Sequence, residues 1–194
     1  LGRRSNRGKA RDNRHSQGGE IVQRDETDLP ALIEASDSPF LLILDGVQDP
    51  HNLGAILRTA DAVGIDAVIV PRKRAVGITE TVARISCGAS ESVPFIRVTN
   101  IARTIVDFQD RGICIVGTAD GARATSLYAA DLTQPFALVM GAEGRGLRRL
   151  THDLCDLVVS LPMLGKVECL NVSVATGICL YEAIRQRLAS PKKA

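Results

Sequence analysis

Six short apolar runs, each too short for an ordinary helix and separated from the next by segments of a different pattern, constrain this chain more than any other feature. They are FLLIL (40 to 44), AVIV (67 to 70), VPFIRV (93 to 98), ICIVG (113 to 117), FALVMG (136 to 141) and LVVSLPM (157 to 163). Rich in Val, Ile and Leu, they predict parallel strands buried on both faces. Helices are expected at about 50 to 63, 79 to 89, 100 to 110 and 147 to 153, with a last one from about 170 to 188. Strands alternating with helices predict an α/β fold, a mostly parallel sheet with helices on both faces. The connection 118 to 135 carries too much turn chemistry for a helix and reads largely as loop.

Three polar or glycine-rich patches abut these runs: NLGAILRT (52 to 59), GAEGRGL (141 to 147) and ECLNVSVA (168 to 175). Open α/β sheets bind ligands at the carboxyl ends of their strands, so these patches are the candidate site. In the first helix Asp49 and Pro50 form the start signal and Gly64 the stop. Leu53, Ile56, Leu57, Ala60 and Val63 make one apolar stripe, and Arg58 projects roughly opposite, beside His51, Ala55 and Ala62. Arg58 is either a plain surface arginine or part of a low-profile face that another chain or ligand approaches.

The glycine patch has the spacing G-x-x-G-x-G, which is neither the dinucleotide fingerprint nor the P-loop. It is either a simple turn or a site, and Glu143 and Arg145 within it favour a crevice. Residues 170 to 184 (LNVSVATGICLYEAI) are apolar nearly all round. Such a helix is covered on two sides, by the sheet and by a second subunit, which predicts a homodimer. Asn171 and Ser173 at its start read as capping residues or as groups facing a ligand.

With 194 residues, 45% of them hydrophobic and 24% charged, the chain suits one domain with a full core. No transmembrane run and no signal segment are present, so a soluble, cytoplasmic protein is expected. The net charge of +2 is uneven: residues 1 to 19 carry Arg3, Arg4, Arg7, Lys9, Arg11 and Arg14 against Asp12, hence +5, and the remainder nets −3. The expected organisation is a basic arm or linker over 1 to 36, a globular domain over 37 to 190 and a tail over 191 to 194. That arm is either solvated or lies on nucleic acid. The chain opens on Leu1 rather than methionine, and a fragment is expected. Five cysteines without C-x-x-C spacing read as buried free thiols, and His15, His51 and His152 do not combine with them, so no metal is expected.

Asn52, the Arg58-Thr59 pair, Val139-Met140-Gly141-Ala142-Glu143-Gly144-x-Gly146, Leu161-Pro162-Met163 and Leu170-Asn171-Val172-Ser173-Val174-Ala175 resemble, in order, the three signature motifs of the SpoU family of RNA ribose 2'-O-methyltransferases, part of the SPOUT superfamily. The resemblance covers about residues 38 to 188 and is most like the bacterial enzymes that act on a guanosine ribose of 23S rRNA. It implies a C-terminal deep trefoil knot, S-adenosylmethionine as cofactor, a homodimer through the last and first helices, and 23S rRNA or a precursor ribosomal particle as substrate. It further implies a catalytic set of Arg58, Asn52, Glu143, Asn171 and Ser173, and cofactor contacts at Thr118, Gly141, Gly144, Leu161, Met163 and Leu170.

Arg58, Arg145 and Arg148 are the RNA-binding candidates, with Arg72-Lys73-Arg74 a further basic cluster, and the clusters read equally as solvated surface. Close relatives carry a small RNA-binding domain ahead of the methyltransferase domain, and 1 to 36 resembles its linker. Methylation of tRNA and a non-catalytic, RNA-binding member of the knotted fold are the alternatives. A flavodoxin-like or nucleotide-binding domain fits the strand-helix pattern but lacks a phosphate-binding fingerprint.

Overall fold

The computed structural model describes residues 23 to 190 apart from 122, 123 and 143. Its strands are β1 (Gln23–Asp25), β2 (Phe40–Asp45), β3 (Ala67–Pro71), β4 (Phe95–Val98), β5 (Cys114–Thr118), β6 (Thr125–Ser126), β7 (Phe136–Gly141) and β8 (Leu157–Ser160). The helices are α1 (Leu29–Glu34), α2 (Pro50–Val63), α3 (Glu80–Ser86), α4 (Ala89–Ser92), α5 (Ile101–Gln109), α6 (Arg149–Asp153) and α7 (Val172–Ala189). All strands join one parallel sheet in the order β1-β4-β3-β2-β7-β5-β8-β6.

Side chains of each central strand divide between two cores, as a period of two requires. Leu42 and Leu44 of β2 point into a core covered by α2, α3, α4 and α7, whereas Leu41 and Ile43 meet α1, α5 and the segment around α6. The absence of polar alternation in these runs follows from that double burial. At the far end of the sheet, Arg187 of α7 lies over the rings of Phe40 and Phe136, 4.6 and 5.3 Å from their centroids, and ties the last helix to the starts of β2 and β7.

The first helix forms as its end signals dictate: Asp49 Oδ1 accepts from the His51 amide at 2.8 Å, Pro50 opens the first turn, and Gly64 closes it at φ 72°. Leu53, Ile56, Leu57, Ala60 and Val63 are all buried, and Arg58 is exposed.

Several expectations need correction. The boundary at 37 falls inside the folded unit, because β1 pairs with β4 and α1 buries Leu29 and Ile33. The polar composition of 23 to 28 hides this strand, whose value lies in its edges: Glu26 accepts from the Thr99 amide and hydroxyl at 3.0 and 3.1 Å. The helix expected over 79 to 89 breaks at Cys87 and Gly88, both left-handed at φ 53° and 96°. The last strand stops at Ser160, short of Leu161 to Met163. Within 118 to 135, β6 and a 3-10 turn at Leu127–Ala129 add order, with Leu127 and Leu132 buried. The arm over 1 to 22 and the tail lie outside the described residues.

Candidate active site

The chain leaves β2 to enter α2 on one face of the sheet and leaves β7 to reach α6 on the other, although β2 and β7 are neighbours paired in register from Phe40–Phe136 to Asp45–Gly141. A crevice opens wherever adjacent strands diverge in this way, and ligands occupy it. Two cavities lie there.

The larger, about 700 Å3, gathers Thr118 from the end of β5, Gly141 and Gly144 from the end of β7 and the loop beyond it, and Leu161, Met163 and Leu170 from the passage between β8 and α7. All six residues named from sequence as cofactor contacts therefore converge on one space. Its walls combine aliphatic side chains such as Leu147, Val159, Leu161 and Leu170 with polar ones at Asp120, Arg149, His152 and Glu168, and the Thr118 hydroxyl donates to the Val139 carbonyl at 3.3 Å. Gly141 is required by close approach: a Cβ there would run into the backbone of Gly146 and Leu147. The loop folds back on itself, the Ala142 amide donating to the Gly146 carbonyl at 3.1 Å and the Gly146 amide to the Ala142 carbonyl at 2.9 Å. A slot of this kind, apolar with a few polar groups and close backbone approach, fits an adenosine.

The second cavity, about 630 Å3, shares Arg145, Gly146, Leu147 and Val172 with the first and is bounded by Asp45, Asn52 and Arg74. At its wall the first and third polar patches meet. Asn171 Nδ2 donates to Asn52 Oδ1 at 2.9 Å, and Asn171 Oδ1 accepts from the Ser173 amide and hydroxyl at 2.9 and 2.6 Å. Asn171 is thus a helix cap and a partner of Asn52 at once, while neither Asn171 nor Ser173 itself lines a cavity. Of the other candidates, Arg145 borders both cavities, Arg58 borders neither and stands exposed on α2, and Glu143 lies outside the described residues.

Asp45 was missed by sequence reasoning. It is 1% exposed at the end of β2, where it receives Arg148 through both oxygens, Nε lying 3.0 Å from Oδ2, and the Thr151 hydroxyl at 2.7 Å. That bond raises the Arg148 guanidinium above its ordinary range. Arg148, an RNA-binding candidate from sequence, is consequently half committed to holding the glycine loop. The available signal was a carboxylate ending a run of five buried apolar residues, a place where an unpaired charge is prohibitive.

The thiols depart from the uniform burial expected. Cys87 and Cys169 are exposed, and Cys169 borders the larger cavity. Burial pushes the Cys155 and Cys179 thiols up to about 12. Among the described residues, no group of three or more His, Cys, Asp and Glu is placed to hold a metal ion, and no helix is long and apolar enough to cross a membrane.

Comparison with known proteins gives a consistent picture. Residues 39 to 181 match the SpoU rRNA Methylase family. The chain is 61% identical over 165 residues to the 23S rRNA (guanosine-2'-O-)-methyltransferase RlmB of Escherichia coli (strain K12), a match covering 85% of this chain and 68% of that one. It is 59% identical over 162 residues to the protein of the same name from Shewanella oneidensis, covering 84% and 65% respectively. The match thus spans about two thirds of the length of these relatives.

Among solved structures, the SpoU methyltransferase AviRb from Streptomyces viridochromogenes in complex with AdoMet superposes with a TM-score of 0.73 at 33% identity, over 80% of this chain and 63% of that one. The A. aeolicus TrmH/SpoU tRNA modifying enzyme superposes with a TM-score of 0.72 at 34% identity, over 84% of each chain.

Proposed function

Because the chain belongs to the SpoU rRNA methylase family, we propose that it transfers a methyl group from S-adenosylmethionine to the ribose 2'-hydroxyl of a guanosine in 23S rRNA, free or in a precursor ribosomal particle. One observation carries this reading: the six residues named as cofactor contacts from three separate stretches line a single cavity at the sheet's switch point. The higher identity to rRNA-named relatives, 61% against 34% for the tRNA modifying enzyme, favours rRNA over tRNA.

S-adenosylmethionine supplies an activated methyl group on a sulfonium. The protein's part is then orientation and charge. Leu161, Met163 and Leu170 hold the adenosine in an apolar slot, with Thr118, Gly141 and Gly144 around it. Asn52 and Asn171, fixed to each other, position the ribose beside that slot, and Ser173 fixes Asn171 through its hydroxyl. Arg58 would hold a substrate phosphate and stabilise the oxygen as its proton passes to solvent, the sulfonium–methyl bond breaking as the oxygen–methyl bond forms and S-adenosylhomocysteine leaving. A guanidinium remains protonated in proteins, so it acts as a cation rather than as a base.

Arg58 borders neither cavity of its own chain, and Val174 and Tyr181 of α7 are 51% and 55% exposed. Both observations support a homodimer through α2 and α7, with Arg58 at the seam. The return of the chain from β8, near one edge of the sheet, to α7 packed beside α2 supports the knotted path of the family. An rRNA substrate supports a cytoplasmic location.

The test is calorimetric titration with S-adenosylmethionine, followed by transfer of labelled methyl to an unmodified 23S rRNA transcript. Binding near one per subunit and label on a guanosine 2'-oxygen are expected. A folded protein that binds no cofactor would overturn the reading.

A further inference from the structure

Three concavities along the carboxyl edge of the sheet share walls in sequence. The cofactor cavity and the second cavity share Arg145 and Leu147. The second cavity and a groove of about 290 Å3 at the ends of β3 and β4 share Arg74 and Arg148, and the groove continues past Lys73 to Thr99 and Asn100. A cation stands at each junction. Among the described residues, no carboxylate lines the groove. In the second cavity Asp45 is taken up by Arg148 and Thr151, and Asp49 caps α2.

The basic cluster 72 to 74 is split by this arrangement. Arg72 turns to β1, where it pairs with Asp25 at 3.2 Å, and leaves Lys73 and Arg74 to the groove. Arg74 is held at φ 66°, a conformation side chains rarely adopt. Its loop is tied to the one after β2 by Gln48 Nε2 donating to the Arg74 carbonyl at 3.4 Å and the Val76 amide donating to the Val47 carbonyl at 3.2 Å. Strain of this kind persists where surrounding structure enforces it, and it gathers at ligand clamps.

We propose that the RNA strand carrying the target nucleotide leaves the second cavity over Arg148 and Arg74 and runs into the groove at Lys73 and Asn100. The second cavity holds the unstacked target nucleoside, and the groove holds the phosphates of its neighbours. This path rests on the methyltransferase reading. The volume of the second cavity agrees with the division, since about 630 Å3 lies within the range of small-molecule sites. The groove has no aromatic side chain on which a base could stack, so its contribution is electrostatic and sensitive to salt.

The experiment measures binding of an unmodified 23S rRNA transcript to the full chain between about 50 and 200 mM salt. It compares wild type, Lys73→Glu, and Arg84→Glu, the same charge change at an exposed position of α3 that does not line the groove. Lys73→Glu is expected to weaken binding about 5- to 10-fold and to lower the log–log salt slope by about 1, with cofactor affinity unchanged. Arg84→Glu is expected to stay within about twofold of wild type. If Lys73→Glu behaves as Arg84→Glu does, or if the wild type shows no salt-dependent binding, the path is wrong. Failure of the methyltransferase reading shows separately, as wild-type protein that takes up no S-adenosylmethionine.

Discussion

Arg148 closes on Asp45 across the switch point, joining the start of α6 to the end of β2 and pinning the glycine loop between them. Asp45 has no access to water, whereas about half of the Arg148 side chain does. Asp45→Asn is therefore expected to cost about 2–3 kcal/mol, less than for a pair buried on both sides. It should also weaken S-adenosylmethionine binding roughly tenfold, 1.4 kcal/mol, as the loop loosens. Urea denaturation and calorimetry read the two effects.

Gly141 and Gly144 stand three residues apart and should respond differently to alanine. At Gly141 the new methyl meets backbone that cannot move aside, so loss of cofactor binding and more than about 2 kcal/mol of stability are expected. At Gly144 the space is open and only the left-handed backbone at φ 74° resists, about 1 kcal/mol. Equal effects in thermal denaturation would refute the packing argument.

Arg58→Ala is expected to lower methyl transfer by about 10²–10³-fold while leaving the cofactor Kd unchanged, as removal of a charge-stabilising group does. Arg58 is exposed, so the fold should tolerate the change. Substantial residual turnover would remove Arg58 from the mechanism.

Glu182, buried on α7, receives Arg185 and Gln186, and these bonds hold its carboxyl down from 4.5 to about 2. A carboxylate with a lowered folded value contributes stability above 4.5 and loses it as the pH falls toward 2. Glu182→Gln should thus be less stable than wild type at pH 7, by about 1 kcal/mol because water screens the exposed Arg185. The gap should close below pH 4.5, and melting curves across that window follow it.

Iodoacetamide at mildly alkaline pH should label Cys87 and Cys169 quickly and spare Cys155 and Cys179, whose thiols are held at about 12. S-adenosylmethionine should protect Cys169, which borders its cavity, and leave Cys87 unprotected. Peptide mass mapping separates the sites. Protection of both or of neither would move the cofactor elsewhere.

The central strands and α2 were legible because double burial writes continuous apolar runs and helix ends carry local caps. The cavity residues Thr118, Gly141 and Leu161 were found through motif likeness; nothing in their own chemistry announces a shared space. β1 was invisible because a three-residue edge strand holds its place through Glu26 and Asp25 reaching distant partners. The break at Cys87 was hidden for a related reason, since a left-handed cysteine has no local signature. Asp45 and Arg148 lie 103 positions apart, and only the fold relates them.

The place of β7 between β2 and β5 has a consequence for synthesis. As the chain leaves the ribosome, β2, β3 and β4 can associate early, but the other side of β2 stays unpaired until Phe136 to Gly141 emerge. That side offers foreign strands a template of five consecutive apolar residues, Phe40 to Leu44. Chains interrupted before β7 should aggregate rather than persist as half-domains, and nascent ones need shielding over the same interval.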